Sequence, residues 1–225
     1  MTGVQTCALP IYTQPTDDDI KRTIGKTLED SFSILSGVTD PLQLAEFKKE
    51  YVKEADTHMT VNTVLFLETK SVLIALKDSG ARIGIISTKF RYRIKELLDQ
   101  HFPEDFLDII IGGEDVKTPK PSPEGLLLAI KQLHVTKAET LYIGDSTVDA
   151  ETAQKAGVDF AGITHGMTTA EELQRYPHKK IMDSLEELLK QEPLPAKAPK
   201  NSNVRQIIFL LALSAALAAL FYFLT

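Results

Sequence analysis

The sequence is nearly without cysteine. Cys7 is its single thiol, so no disulfide can form within the chain, and a reducing compartment suits it. It is also short of positive charge. Against 31 Asp and Glu stand 25 Lys and Arg, a formal net charge of -6, which argues against a general binder of nucleic acid, whose phosphates want a basic face. The first eleven residues lack the basic stretch and long apolar run of a secretory signal. What remains is ordinary: 225 residues, 43% hydrophobic and 25% charged, enough for one domain or for a core with a small accessory unit.

Thr2 to Ile11 resembles the translation of a common short-read sequencing adapter. Residues 1–11 are therefore set apart from the fold, as scars are. The protein's own sequence would then reach upstream of Tyr12.

Pro15 to Gly37 reads as helical, with Thr16 as cap, Asp17 to Asp19 in the first turn, and Gly25 dividing the stretch. A second helix is expected over Pro41 to Asp56, with Leu44, Phe47 and Tyr51 on one face. No strand pattern lies beside either, so this is a small helical unit. From Thr69 the pattern alternates. Helices are expected over 69–80, 92–102, 123–133, 148–156 and 182–189, and strands over 82–87, 107–111, 140–143 and 160–163. Strands separated by helices of this length imply a parallel sheet, with ligands at its carboxyl ends.

Residues 191–204 are rich in proline, alanine and lysine and read as a linker. Ile207 to Leu224 is then an almost unbroken apolar run, interrupted by Ser214. As a helix it would be about 27 Å long, near the thickness of a bilayer core. The expectation is a single transmembrane anchor, with Lys197, Lys200 and Arg205 placing the globular part in the cytoplasm.

Three positions carry polar chemistry at expected strand ends. Ser87 and Thr88 follow I-G-I-I and can donate to a phosphate oxygen; the plainer reading is a helix cap. Lys120, in P-K-P-S-P-E-G, can neutralise a phosphate or a carboxylate, although Lys117 competes for that role. Asp145 and Asp149, in G-D-S-T-V-D, flank a strand-to-helix turn. Two carboxylates so spaced suit Mg²⁺, and they also suit mere capping. His58 and His165 have no base partner nearby in sequence and read as structural, and Lys26 reads as a solvated helix residue.

In this order, a hydroxyl after one strand, K-P-x-P-E before a helix, and G-D-S-x-x-D after a later strand resemble motifs two, three and four of the haloacid dehalogenase superfamily. The resemblance covers Pro15 to Leu189 and is nearest the phosphoglycolate phosphatase and pyrophosphatase branch. It implies an α/β, Rossmann-like core with a parallel sheet over 61–190 and part of a small helical cap over 12–60. It implies a Mg²⁺-dependent phosphatase for a small phosphate monoester or pyrophosphate, acting through an aspartyl-phosphate. Ser87 or Thr88 would bind the phosphoryl group, Lys120 would stabilise it, Asp145 would ligate Mg²⁺ and Asp149 would support the metal. The family's first motif, D-x-D-x-T after a strand, is absent, and Asp17 to Asp19 do not replace it. By the resemblance that strand lies centrally, between those ending at Ser87 and Asp145. The chain as given is thus expected to be inactive, with two sheet edges left open. A phosphosugar mutase and a non-catalytic membrane-tethered binding domain are the alternatives.

Overall fold

Among the described residues six parallel strands form one sheet in the order β2-β1-β6-β3-β4-β5, and a central position belongs to the last of them in chain order. The computed structural model describes residues 15–60, 62–190 and 208–212. The strands are β1 (Arg82–Ile86), β2 (Ile109–Ile111), β3 (Thr140–Gly144), β4 (Asp159–Ile163), β5 (Lys180–Met182) and β6 (Ile208–Ala212). The helices are α1 (Asp17–Lys21), α2 (Leu28–Ser36), α3 (Pro41–His58), α4 (Thr69–Asp78), α5 (Arg91–Asp99), α6 (Glu124–Gln132), α7 (Thr147–Ala156) and α8 (Ala170–Leu173).

The sheet is buried on both faces because its strands are apolar at nearly every position, the signature of a parallel sheet covered by helices. Side chains alternate between two cores. Ile83 and Ile85 of β1 join Val72, Leu73 and Leu76 of α4 on one face. Ile86 lies on the other with Tyr142 of β3, Leu126 of α6 and Ala150 and Ala153 of α7. Gly157, at a φ of 66°, closes α7 in the left-handed conformation and turns the chain into β4.

Ahead of the sheet, α1 to α3 make the helical unit. Thr16 and Asp19 form a reciprocal capping box on α1. Gly25, at φ 87°, separates α1 from α2 as expected. Phe32 of α2 packs edge-on against Phe47 and Tyr51 of α3, at centroid separations of 6.0 and 5.8 Å.

Two expectations need correcting. Met182, expected to open a helix, is instead the last residue of β5, and only a short 3-10 turn follows over Leu185–Leu188. The larger correction concerns the apolar run at Ile207 to Leu224. Its residues 208–212 are a strand, paired in parallel with β1 (Ile86 beside Ala212) and with β3 (Ile143 beside Leu211). The rest of that run, like residues 1–14 and the linker, lies outside the described residues. Among the described residues no helix is long and apolar enough to cross a membrane. Membrane attachment, the lipid bilayer as partner and the cytoplasmic placement rested on that helix and lose their basis. The physical reason is that a fully buried parallel strand and a membrane span share one signature, an uninterrupted apolar stretch. The edges of β1 and β3, expected to be open, are closed by β6.

Candidate active site

Strand β1 hands the chain to Ser87 and Thr88 at its carboxyl end. The Ser87 amide donates to the carbonyl of Ile111 (3.0 Å), extending the pairing of β1 with β2 by one residue. The Ser87 hydroxyl accepts from the amide of Lys89 (3.1 Å) and tightens the turn. The loop after β2 closes on this turn. The Gly113 amide donates to the carbonyl of Lys89, and a Cβ on Gly113 would stand 2.5 Å from the carbonyl oxygen of Thr88. Glycine is required there by the approach of the two backbones.

Lys120 reaches the same place from the loop before α6, where Glu124 caps the backbone amides of Lys117 and Thr118 with its carboxylate. Its ammonium donates to Asp149 Oδ1 at 2.7 Å, and the pair is nearly out of water, with side chains 10% and 1% exposed. Asp149 accepts further from the Tyr142 hydroxyl (3.2 Å) and, at its other oxygen, from the Ser146 hydroxyl. Burial first, and then the Asp149 charge, push the Tyr142 hydroxyl well above the usual phenol range, so it stays a donor. Gly144 makes the arrangement possible: a Cβ there would lie 2.3 Å from that of Asp149. Ser87, Thr88 and Lys120 line one cleft together with Gly112, Gly113 and Thr118. Lys117, the competing lysine, lies outside that lining.

Asp145 is buried at the end of β3, and the loop after β4 folds over it: a Cβ on Gly166 would meet its Oδ2 at 2.6 Å. The adjoining His165 places Nε2 3.2 Å from Glu68 and from the carbonyl of Asp183, and packs against Phe66 with tilted rings whose centroids are 4.1 Å apart. His165 thus ties this loop to the segment that leads from the helical unit into the sheet. His58 is exposed at the end of α3, and Lys26 lies between α1 and α2, beside Gly25. A Cβ on Gly25 would stand 3.7 Å from the Ser146 hydroxyl, which places the turn between α1 and α2 over the Asp145–Asp149 loop.

Sequence reasoning missed Tyr142, Gly144 and Gly166. The first two lie within T-L-Y-I-G-D, where a phenol three residues before a strand-end aspartate is a readable signal. Gly166 carries none until the loop is seen against Asp145.

The donor chemistry fits Mg²⁺ only in part. Asp145 is a hard oxygen donor at a strand end, but both oxygens of Asp149 are engaged by Lys120, Tyr142 and Ser146. Among the described residues no group of three or more His, Cys, Asp or Glu could hold a metal ion. The ion would need donors beyond these, from water, substrate phosphate or another carboxylate.

The profile of haloacid dehalogenase-like hydrolases matches residues 3–163. The chain belongs to that family. Phosphoglycolate phosphatases are among its relatives: the Salmonella paratyphi A phosphoglycolate phosphatase is 34% identical over 133 residues, 59% of this chain and 53% of that protein. The Colwellia psychrerythraea phosphoglycolate phosphatase is 31% identical over 131 residues, covering 58% of each. The chain therefore spans little more than half the length of these relatives. A Bacteroides fragilis structure, described as a haloacid dehalogenase-like hydrolase, aligns with a TM-score of 0.77 at 61% identity, over 78% of this chain and 84% of that one. A hydrolase from Pseudomonas syringae, at 22% identity and TM-score 0.68 over 78% of this chain and 81% of that one, shares the fold.

Proposed function

We propose that this chain carries the phosphoryl-binding part of a family phosphatase that hydrolyses a small phosphate monoester, phosphoglycolate-like, or pyrophosphate. The observation that supports this most directly is Lys120, which is held by the buried Asp149 and lines one cleft with Ser87 and Thr88. The hydroxyls and amides of that turn bind phosphate oxygens, and the Lys120 ammonium neutralises charge that builds on the transferring group. Asp149 acts as a positioning residue: it holds Lys120 rather than facing the cleft. Asp145 would ligate Mg²⁺, an ion that supplies charge neutralisation for phosphoryl oxygens when bound. Helices α1 to α3 act as the cap, with Gly25 over the site, so that residues 12–60 form one unit and 61–190 another.

In this reading the chain as given is inactive. An aspartyl-phosphate needs a carboxylate to attack phosphorus. Asp149 is committed to Lys120, and Asp145 has the metal's role. The test compares the chain as given with a version preceded by an apolar strand ending in D-x-D-x-T. Both are assayed on a generic phosphate ester, with Mg²⁺ and with chelator. Metal-dependent turnover is expected in the extended version alone. Equal turnover in the shorter one would overturn the assignment of the attacking group.

A further inference from the structure

Tyr142 brings a hydroxyl into an otherwise apolar place. It stands in the middle of β3, fully buried, and its side chain belongs to the cluster of Ile86, Leu126, Ala150, Ala153 and Phe160. A phenylalanine would fill the same space, and a hydroxyl there is costly unless it is hydrogen-bonded. Its partner in register on β4 is Phe160, which has no hydroxyl. The Tyr142 hydroxyl crosses to α7 and donates to Asp149 Oδ1 (3.2 Å), the same oxygen that accepts from the Lys120 ammonium (2.7 Å). At the other end of the carboxylate, Oδ2 accepts from the Ser146 hydroxyl, which itself accepts from the Asp149 amide (3.2 Å). The two ends are held by different parts of the fold. Ser146 is the cap of α7, so its hold on Oδ2 is local to that turn. Tyr142 comes from the sheet and meets Oδ1, the oxygen that faces Lys120. A carboxylate pinned at both oxygens does not swing about its Cβ–Cγ bond, and Oδ1 then meets Lys120 from one direction.

We infer that Tyr142 is a positioning residue for Lys120, acting through Asp149: its hydroxyl fixes the plane of the carboxylate, and the carboxylate fixes the ammonium at the cleft. An ammonium has three protons to give. With one directed at Asp149, the direction of the others is set, and they are what an anion in the cleft can use. The phenol itself touches no ligand in this role, and Tyr142 is not among the residues that line the cleft. The positioning claim stands on the hydrogen bonds alone, whereas its effect on phosphate binding rests on the proposed phosphatase reading.

The test uses the full chain, isotope-labelled at its lysine nitrogens, and reads the Lys120 ammonium by NMR, its signal identified by its absence in Lys120→Arg. Tyr142→Phe removes the hydroxyl alone. Phe160→Leu loosens the packing beside it and removes no hydrogen bond to Asp149. Asp149→Asn weakens the same chain of contacts one link further on. Exchange of the ammonium protons with solvent is expected to quicken by about threefold or more in Tyr142→Phe, and at least as much in Asp149→Asn, while Phe160→Leu keeps the wild-type rate. Inorganic phosphate is then titrated into the same samples. Its affinity should fall by about threefold to tenfold in Tyr142→Phe and stay at the wild-type value in Phe160→Leu. An unchanged ammonium in Tyr142→Phe or in Asp149→Asn would overturn the role given to Tyr142. So would equal loosening in Tyr142→Phe and Phe160→Leu, or a loosened ammonium that binds phosphate as tightly as before. Loosening confined to Tyr142→Phe and Asp149→Asn, with no phosphate bound by any chain, wild type included, would support that role and count against the phosphatase reading.

Discussion

Two buried cations in this protein are held by carboxylates in unlike surroundings. At the cleft, Lys120 and Asp149 are both nearly dry, and Asp149 takes two more hydrogen bonds, from Tyr142 and Ser146. At the seam between α3 and α5, Arg93 is equally buried, with its side chain 6% exposed, but its partner Asp56 is 46% exposed. Arg93 there also donates to the carbonyl of Val52 and to the Tyr92 hydroxyl. The seam pair keeps one foot in water and fixes helix to helix. The cleft pair gives up solvation on both sides, which stability alone does not favour; what it gains is an ammonium held in one place.

The largest effect expected from this contrast is at Asp149. Asp149→Ala leaves the Lys120 charge dry and alone, and should cost about 3–5 kcal/mol by chemical denaturation. Asp149→Asn, which keeps hydrogen bonding, should cost less. A loss within about 1 kcal/mol for the alanine variant would show that Lys120 escapes to water and that the pair is no site.

A second effect follows from Lys89, which leads into α5 from the Ser87–Thr88 turn. Burial first, and then the nearby Arg93, push its ammonium down to about 8. Because the unfolded chain then binds the proton more tightly than the folded one, the penalty is fully present below the folded value and is relieved as pH rises toward the unfolded one. Lys89→Met should therefore raise the melting temperature at neutral pH, by up to about 3 kcal/mol of stability. The gain should shrink above the folded value and vanish near the ordinary lysine value. A gain that is flat with pH would place Lys89 in water.

The seam should be asymmetric. Arg93→Met leaves Asp56 hydrated and should cost about 1–2 kcal/mol, whereas Asp56→Ala strands the buried guanidinium and should cost more. The Tyr92 hydroxyl and Arg93 hold the Asp56 carboxyl below its usual range. Its contribution is therefore present above the unfolded carboxylate value and lost as pH falls through the folded one. The difference between wild type and Asp56→Asn should disappear in acid, as read by thermal melts from neutral to strongly acidic pH. Smallest of all is the exposed pair Lys95–Asp99 on α5, whose removal should leave the melting temperature essentially unchanged.

Much of this architecture is legible in the sequence. The helical unit, the division at Gly25, strands β1 to β4 and their intervening helices follow from periodicity, caps and glycine stops. The cleft is legible because Ser87, Thr88 and Lys120 each follow a recognisable local pattern, and a parallel sheet brings strand ends together. Which lysine enters the cleft is not, since Lys117 and Lys120 differ only in the turn that carries them. The pairing of Lys120 with Asp149 spans 29 residues and depends on Gly144 leaving room, which no local pattern records. The short β5 is lost among polar neighbours. The place of β6 is hidden most deeply. An apolar run states that it will be buried but not in what, and here the sheet and the bilayer make the same demand on the sequence.

Phosphate binding at Lys120 tests the central claim most directly. Inorganic phosphate is titrated into the chain, with binding followed by phosphorus NMR line broadening, for wild type, Lys120→Met, Lys120→Arg and the control Lys117→Met. Circular dichroism melts are recorded alongside. Saturable binding is predicted for wild type and Lys117→Met. A loss of about tenfold or more is expected in Lys120→Met, with partial recovery in Lys120→Arg, whose charge is kept. Equal phosphate binding in wild type and in a cooperatively melting Lys120→Met chain would contradict the account.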